Sequence, residues 1–191
     1  MHVPRRWLFL TVCTMALASL PATAATTATA APAAEAPRPI ESHDFDFEFG
    51  RWHVEHRVKR PDGSWLQFDG TCTARPFLGG SGNVEDHVFN KPTGIARGGG
   101  LRAYNPATKE WAIWWIDARD PHGALDPPVK GRFEQGIGNF YSDGMQNGKM
   151  IRTRYQWSQI TGTTAHWEQA YSADAGNTWN TNWIMEFRRT Q

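Results

Sequence analysis

The chain has 191 residues, enough for one domain with a sizeable core, and it carries 20 Lys+Arg against 19 Asp+Glu. That near-balance, with no basic run, argues against a binder of nucleic acid or of an anionic membrane surface. With two cysteines, Cys13 and Cys72, it is no disulfide-rich scaffold, so stability must come from a core, and ten tryptophans and ten phenylalanines are a generous supply.

Arg5 and Arg6 precede an apolar run from Trp7 to Leu20, and Ala22-Thr23-Ala24 offers small residues for cleavage. That order is a secretory signal peptide over 1–24, with an apolar run too short for a membrane span. Export to the periplasm or the extracellular space is therefore expected. Cleavage after Ala24 leaves 20 − 2 = 18 basic residues against 19 acidic ones, a formal charge of −1. It also leaves Cys72 unpaired, in an alternating strand where a buried, inert thiol is expected. Residues 25–40, mostly Ala, Thr and Pro, read as a flexible tether to a domain over 41–191.

The domain opens on FDFEFGRWHVEHRVK, Phe45 to Lys59. Phe45, Phe47 and Phe49 alternate with Asp46 and Glu48. After Gly50, Trp52, Val54, His56 and Val58 share one face, as a half-buried strand requires. Pro61-Asp62-Gly63 turns the chain into a second strand, Trp65 to Ala74. A third covers Asn83 to Phe89, with Glu85 and His87 on one face. Ile95 to Tyr104 carries Gly98-Gly99-Gly100, which suggests strong coiling or close backbone approach, with a plain loop as the alternative. Trp111 to Ala118 is an apolar strand, Arg119 to Pro128 a surface loop, and Val129 to Phe140 the next strand. Asp143-Gly144 and Asn147-Gly148 supply turn chemistry before Lys149 to Ile160. Ala165 to Tyr171 and Thr178 to Arg189 finish the chain. Eight to ten strands joined mostly by hairpins, with no substantial helix after the signal peptide, predict an all-β antiparallel sandwich or up-and-down barrel. Hairpin order favours the barrel, whose closure removes exposed edges.

Gly50-Arg51-Trp52 at the start of the domain and Arg188-Arg189 at its end resemble the lipocalin and calycin pattern. In those barrels a G-x-W opens the first strand and an arginine of the last strand packs over the tryptophan. The resemblance implies that Trp52 plugs the closed end and that Arg188 or Arg189 stacks on it. The whole domain looks most like the secreted bacterial barrels of the domain-of-unknown-function 1579 family, which implies a fold and no established activity. A second motif, Ser172 to Trp179, matches the Asp-box pattern S-x-D-x-G-x-T-W in full. In sialidase-type propellers such boxes recur as hairpin caps. Here there is one clear copy, so Ser172, Asp174 and Trp179 are expected to be structural.

If Trp52 points inward, so does His56. Depending on register, Glu85 and His87, Asp117, Arg152 or Arg154, and His166 with Glu168 could join it. Aromatic walls would come from Trp115, Tyr155 and Trp167 or Trp183. Apolar walls with a few polar groups make a small-molecule site, the alternative for each polar residue being a wet outer face. The leading expectation is therefore a binder of a small, largely apolar ligand. An enzyme of isomerase, cyclase or hydratase type, using a His with a carboxylate, is the second expectation. Haem held by His166 or His56 is the third, with no other cofactor expected. No compact metal-ligand spacing stands out, and oligomeric state is not legible.

Overall fold

The structure, a computed structural model, describes residues 42–190. The expected signal peptide and most of the tether lie outside the described residues. Ten antiparallel strands follow in order: β1 (Gly50–Lys59), β2 (Trp65–Phe77), β3 (Gly82–Lys91), β4 (Gly94–Asn105), β5 (Glu110–Asp117), β6 (Val129–Glu134), β7 (Ile137–Gln146), β8 (Lys149–Ser158), β9 (Thr164–Ser172) and β10 (Asn180–Arg189). Each pairs with its sequence neighbours, and β10 closes on β1 through pairs such as Val54 with Phe187. The fold is a closed up-and-down barrel. Among the described residues no helix is long and apolar enough to cross a membrane.

Three details depart from expectation. The alternation of Phe45, Phe47 and Phe49 is not a strand: Asp46–Glu48 is a 3-10 turn before β1. Residues three apart in such a turn lie on one side, so Phe45 and Glu48 both enter the barrel and are buried. Val129 to Phe140 is not one strand either. Gln135-Gly136, both at positive φ, make a two-residue turn between β6 and β7, as Asn147-Gly148 do between β7 and β8. Asp143-Gly144 lies inside β7.

The inside is unevenly filled. Toward the end where β1 begins, Phe45, Trp52, Phe140, Trp157 and Phe187 are sealed from solvent. Phe45 makes edge contacts with Trp111 and Phe133 at 5.0 Å, the packing of a solid core. At the other end the inward residues stay partly exposed, among them Tyr155, Trp167, Trp183 and, at 45%, Trp115. One end is a plug and the other an open mouth.

Candidate functional site

The plug is built from the two chain ends. Trp52 donates its indole N–H to the Glu48 carbonyl at 2.7 Å, and the Arg189 guanidinium lies 4.2 Å from the Trp52 ring centroid. Arg189 also donates to the carbonyls of Phe47, Phe49 and Gly162, stitching the strand end to the opening segment. Of the two arginines expected in this role, Arg188 is not the one: it is exposed and pairs with His53 on the outer face. Alternation decides between them, because Arg189 shares its face with Phe187.

Above the plug lies a buried ionic cluster. Arg102 bonds Glu48 at 2.5 Å, Asn83 at 3.0 Å and Glu85. Burial pushes the Glu48 carboxyl well above the usual carboxylate range. Burial would raise Glu85 as well, but the Arg102 guanidinium outweighs it and holds Glu85 at about 2. Cys72 Sγ lies with the two carboxylates in a group whose ligand atoms are within 4.8 Å of one another. A guanidinium already fills that group, and burial pushes the thiol up, so the donor set suits an arginine better than a metal ion. Glu85, expected as a ligand contact, thus points inward but spends its carboxylate on Arg102.

The floor of the open half is a histidine pair. His56 on β1 and His87 on β3 face each other across β2, Nε2 to Nε2 at 3.3 Å. Gly70 on β2 permits this: a Cβ there would meet His56 Nε2 at 3.0 Å and the Val88 carbonyl oxygen at 2.1 Å. Trp183 donates its indole N–H to His56 Nδ1 at 3.3 Å. Each imidazole stacks on a phenylalanine two positions along or across, His87 on Phe89 at 4.4 Å and His56 on Phe68 at 4.7 Å. Burial lowers the pKa of both rings, His56 to about 3 with help from nearby His87 and Lys91, so both are neutral near pH 7.

The walls are aromatic. Trp183 meets Trp167 edge-on at 5.9 Å, Trp167 meets Tyr155 at 6.1 Å, and Phe89 meets Trp115 at 6.1 Å. The Gly98-Gly99-Gly100 run lies within β4, and its purpose is space: a Cβ on Gly98 would fall 2.2 Å from the Trp115 ring. Lys91 stands at the rim, its ammonium 5.5 Å from the Phe89 centroid. The mouth is also slit on one side. β5 and β6 pair over Trp111 to Ile113 alone, leaving Trp114 to Asp117 without a partner strand there, beside the 118–128 loop.

Two expected site residues lie elsewhere. Arg154 and His166 are on the outer face, because Tyr155 and Trp167 take the inner one. Arg154 bonds Glu168 at 2.5 Å and stacks 4.7 Å from the Trp179 ring, and His166 bonds Glu186 at 2.9 Å. Trp179 belongs to the Asp-box, whose Ser172 accepts from the Gly176 amide at 2.8 Å and whose Asp174 accepts from the Thr178 amide at 2.9 Å. The Ser172 hydroxyl also donates to Asp174 at 2.6 Å, and that bond, with those from Thr178, holds Asp174 at about 2. Sequence reasoning missed Glu48, Asn83 and Arg102, the buried ionic cluster. A charged residue two positions after a triple glycine inside an apolar strand was the available signal. It also missed Phe68, Phe89 and Lys91 as parts of the cup.

No known protein family matches the sequence, and no curated protein does. Solved structures do resemble it. Rv2717c from M. tuberculosis is 9% identical, covers 78% of this chain over 99% of its own, and superposes with a TM-score of 0.52. An S-type phycobiliprotein lyase from Guillardia theta is 7% identical, with 77% and 90% covered and a TM-score of 0.49. A redesigned β-barrel is 10% identical, with 76% and 94% covered and a TM-score of 0.42. At these identities the likeness is one of fold alone, a β-barrel.

Proposed function

We propose that this protein is an exported barrel that binds a small, largely apolar ligand with one polar end in the cup above His56 and His87. The observation that carries the reading is the contrast between the two halves. Aromatic side chains at the plug are sealed, whereas those at the mouth face inward and still keep exposed surface. Covering that surface with a ligand is worth about 25 cal/mol per Å² of apolar area, so the walls supply affinity and the few polar groups supply orientation. A binding role fits better than catalysis. Glu85, which shares the inner face of β3 with His87, is engaged by Arg102, Asp117 on the inner face of β5 is engaged by Arg119, and the histidine pair leads to an indole, which neither accepts nor readily gives up a proton. Membership of the domain-of-unknown-function 1579 family is part of the same proposal, resting on the G-x-W opening, the terminal arginine and the barrel. Titration with fatty acids, retinoids, haem and aromatic metabolites tests the reading: at least one is expected to quench tryptophan fluorescence saturably. No quenching by any of them would refute it.

A further inference from the structure

We propose that the cup selects ligands whose polar end is a hydrogen-bond acceptor, a carbonyl, carboxylate or ether oxygen, and that the N–H at Nδ1 of His87 is the group that holds it. The inference rests on the binding reading above. It follows from the direction of one hydrogen-bond chain. An indole N–H donates and has no acceptor to offer. Trp183 Nε1 lies 3.3 Å from His56 Nδ1, so that nitrogen must accept. A neutral imidazole carries one proton, which in His56 then sits on Nε2. That atom faces His87 Nε2 at 3.3 Å, which must accept in turn, leaving the His87 proton on Nδ1. One donor-only side chain thereby fixes the tautomer of both rings. Protonating either ring would set two N–H groups against each other or against the indole. Burial opposes that, since it favours the neutral form of both rings.

The chain ends on a donor. His87 is 2% exposed, its one side-chain hydrogen bond among the described residues is at Nε2, and Nδ1 is not among the unpartnered polar atoms wholly shut off from solvent. A donor in so narrow an opening among aromatic rings has little water to bond, so an incoming oxygen acceptor gains more here than it would in water. A ligand that brings another N–H gains nothing. Glu85, two positions before His87 on the same face, is turned to Arg102 and does not take the proton.

Two measurements on the whole protein test this. Long-range proton–nitrogen NMR on histidine-labelled protein at pH 7 reports each tautomer, with His56 expected protonated on Nε2 and His87 on Nδ1. Binding of two probes of equal size, 2-acetylnaphthalene and 2-isopropylnaphthalene, is then compared, and the ketone is expected to bind about tenfold tighter. In Trp183→Phe, which frees the His56 tautomer, that ratio is expected to shrink. Equal binding of the two probes would overturn the acceptor preference while leaving the binding reading in place. Binding of neither, with no quenching by any member of the panel above, would overturn both. A His87 proton found on Nε2 would overturn the inference whatever the probes do.

Discussion

Arg188 and Arg189 are neighbours with the same side chain and opposite fates. Arg189 stacks on Trp52 and donates to three carbonyls, whereas Arg188 is exposed beside His53. Arg189→Ala is therefore expected to cost about 2–3 kcal/mol of stability, and Arg188→Ala less than about 0.5 kcal/mol, in denaturant titrations. Equal effects would contradict the assignment. The histidines give a second prediction. The unfolded chain takes up a proton on His56 below its ordinary 6.5, while the folded protein resists until about 3, and His87 shifts the same way. Their contribution is fully present above pH 6.5 and is lost as the pH falls, at up to about 1.4 kcal/mol per pH unit for each ring. Glu85 adds to the loss below about 4.5, its ordinary value, down to about 2. Glu48, raised instead of lowered, works the other way and favours the fold at low pH. Unfolding free energy should thus drop between pH 6.5 and 5, and His56→Gln should flatten that slope. A profile level across this window would contradict the buried neutral pair. The presence of a histidine on the inner face of β1 was readable from its alternation with Trp52. Alternation offers His87 only as one of several residues that register could bring beside it, because the two lie 31 positions apart and meet through the gap that Gly70 leaves in the strand between them.

Among the elements, strands were readable wherever one face was apolar and the next turn held Gly, Pro or Asn. The β6–β7 turn escaped because Gln135 sits at positive φ without the usual Asn or Gly. Register was harder. β8 offers Arg152 and Arg154 on one face and Thr153 and Tyr155 on the other, and both faces mix polar with apolar atoms, so parity alone could not tell inside from outside. The structure resolves it through Arg154 and Glu168, whose pair sits outside on β8 and β9. The Asp-box turn that joins β9 to β10 is held by Ser172 and Asp174, with Trp179 laid against Arg154. Asp174→Ala should lower the melting temperature and leave ligand affinity unchanged, since the turn's bonds stay within the turn; loss of binding at an unchanged melting temperature would make it a site instead. At the β5–β6 slit, the amides of Trp114 to Asp117 that point away from β4 lack strand partners. They should exchange with deuterium much faster than the amides of β1 and β10, and equal protection would mean that the slit is closed.

At the scale of the whole molecule, the two ends of the barrel divide the labour. The opening segment and the last strand lock one end with Trp52, Arg189 and Phe45, and the ionic cluster of Glu48, Arg102 and Glu85 sits just above that lock. The other end keeps its aromatic wall open. Export, proposed from Arg5-Arg6, the apolar run and Ala22-Thr23-Ala24, predicts that secreted protein begins near Ala25, and an intact Met1 on exported protein would refute it. The central claim, that the cup is a binding site, is met most directly by native mass spectrometry of the protein purified from its source under non-denaturing conditions. A species heavier than the bare chain by one small molecule is expected, lost on denaturation and absent from Trp167→Arg, which puts a charge on the wall. A bare chain mass under every gentle condition, with the same spectrum for that variant, would contradict it.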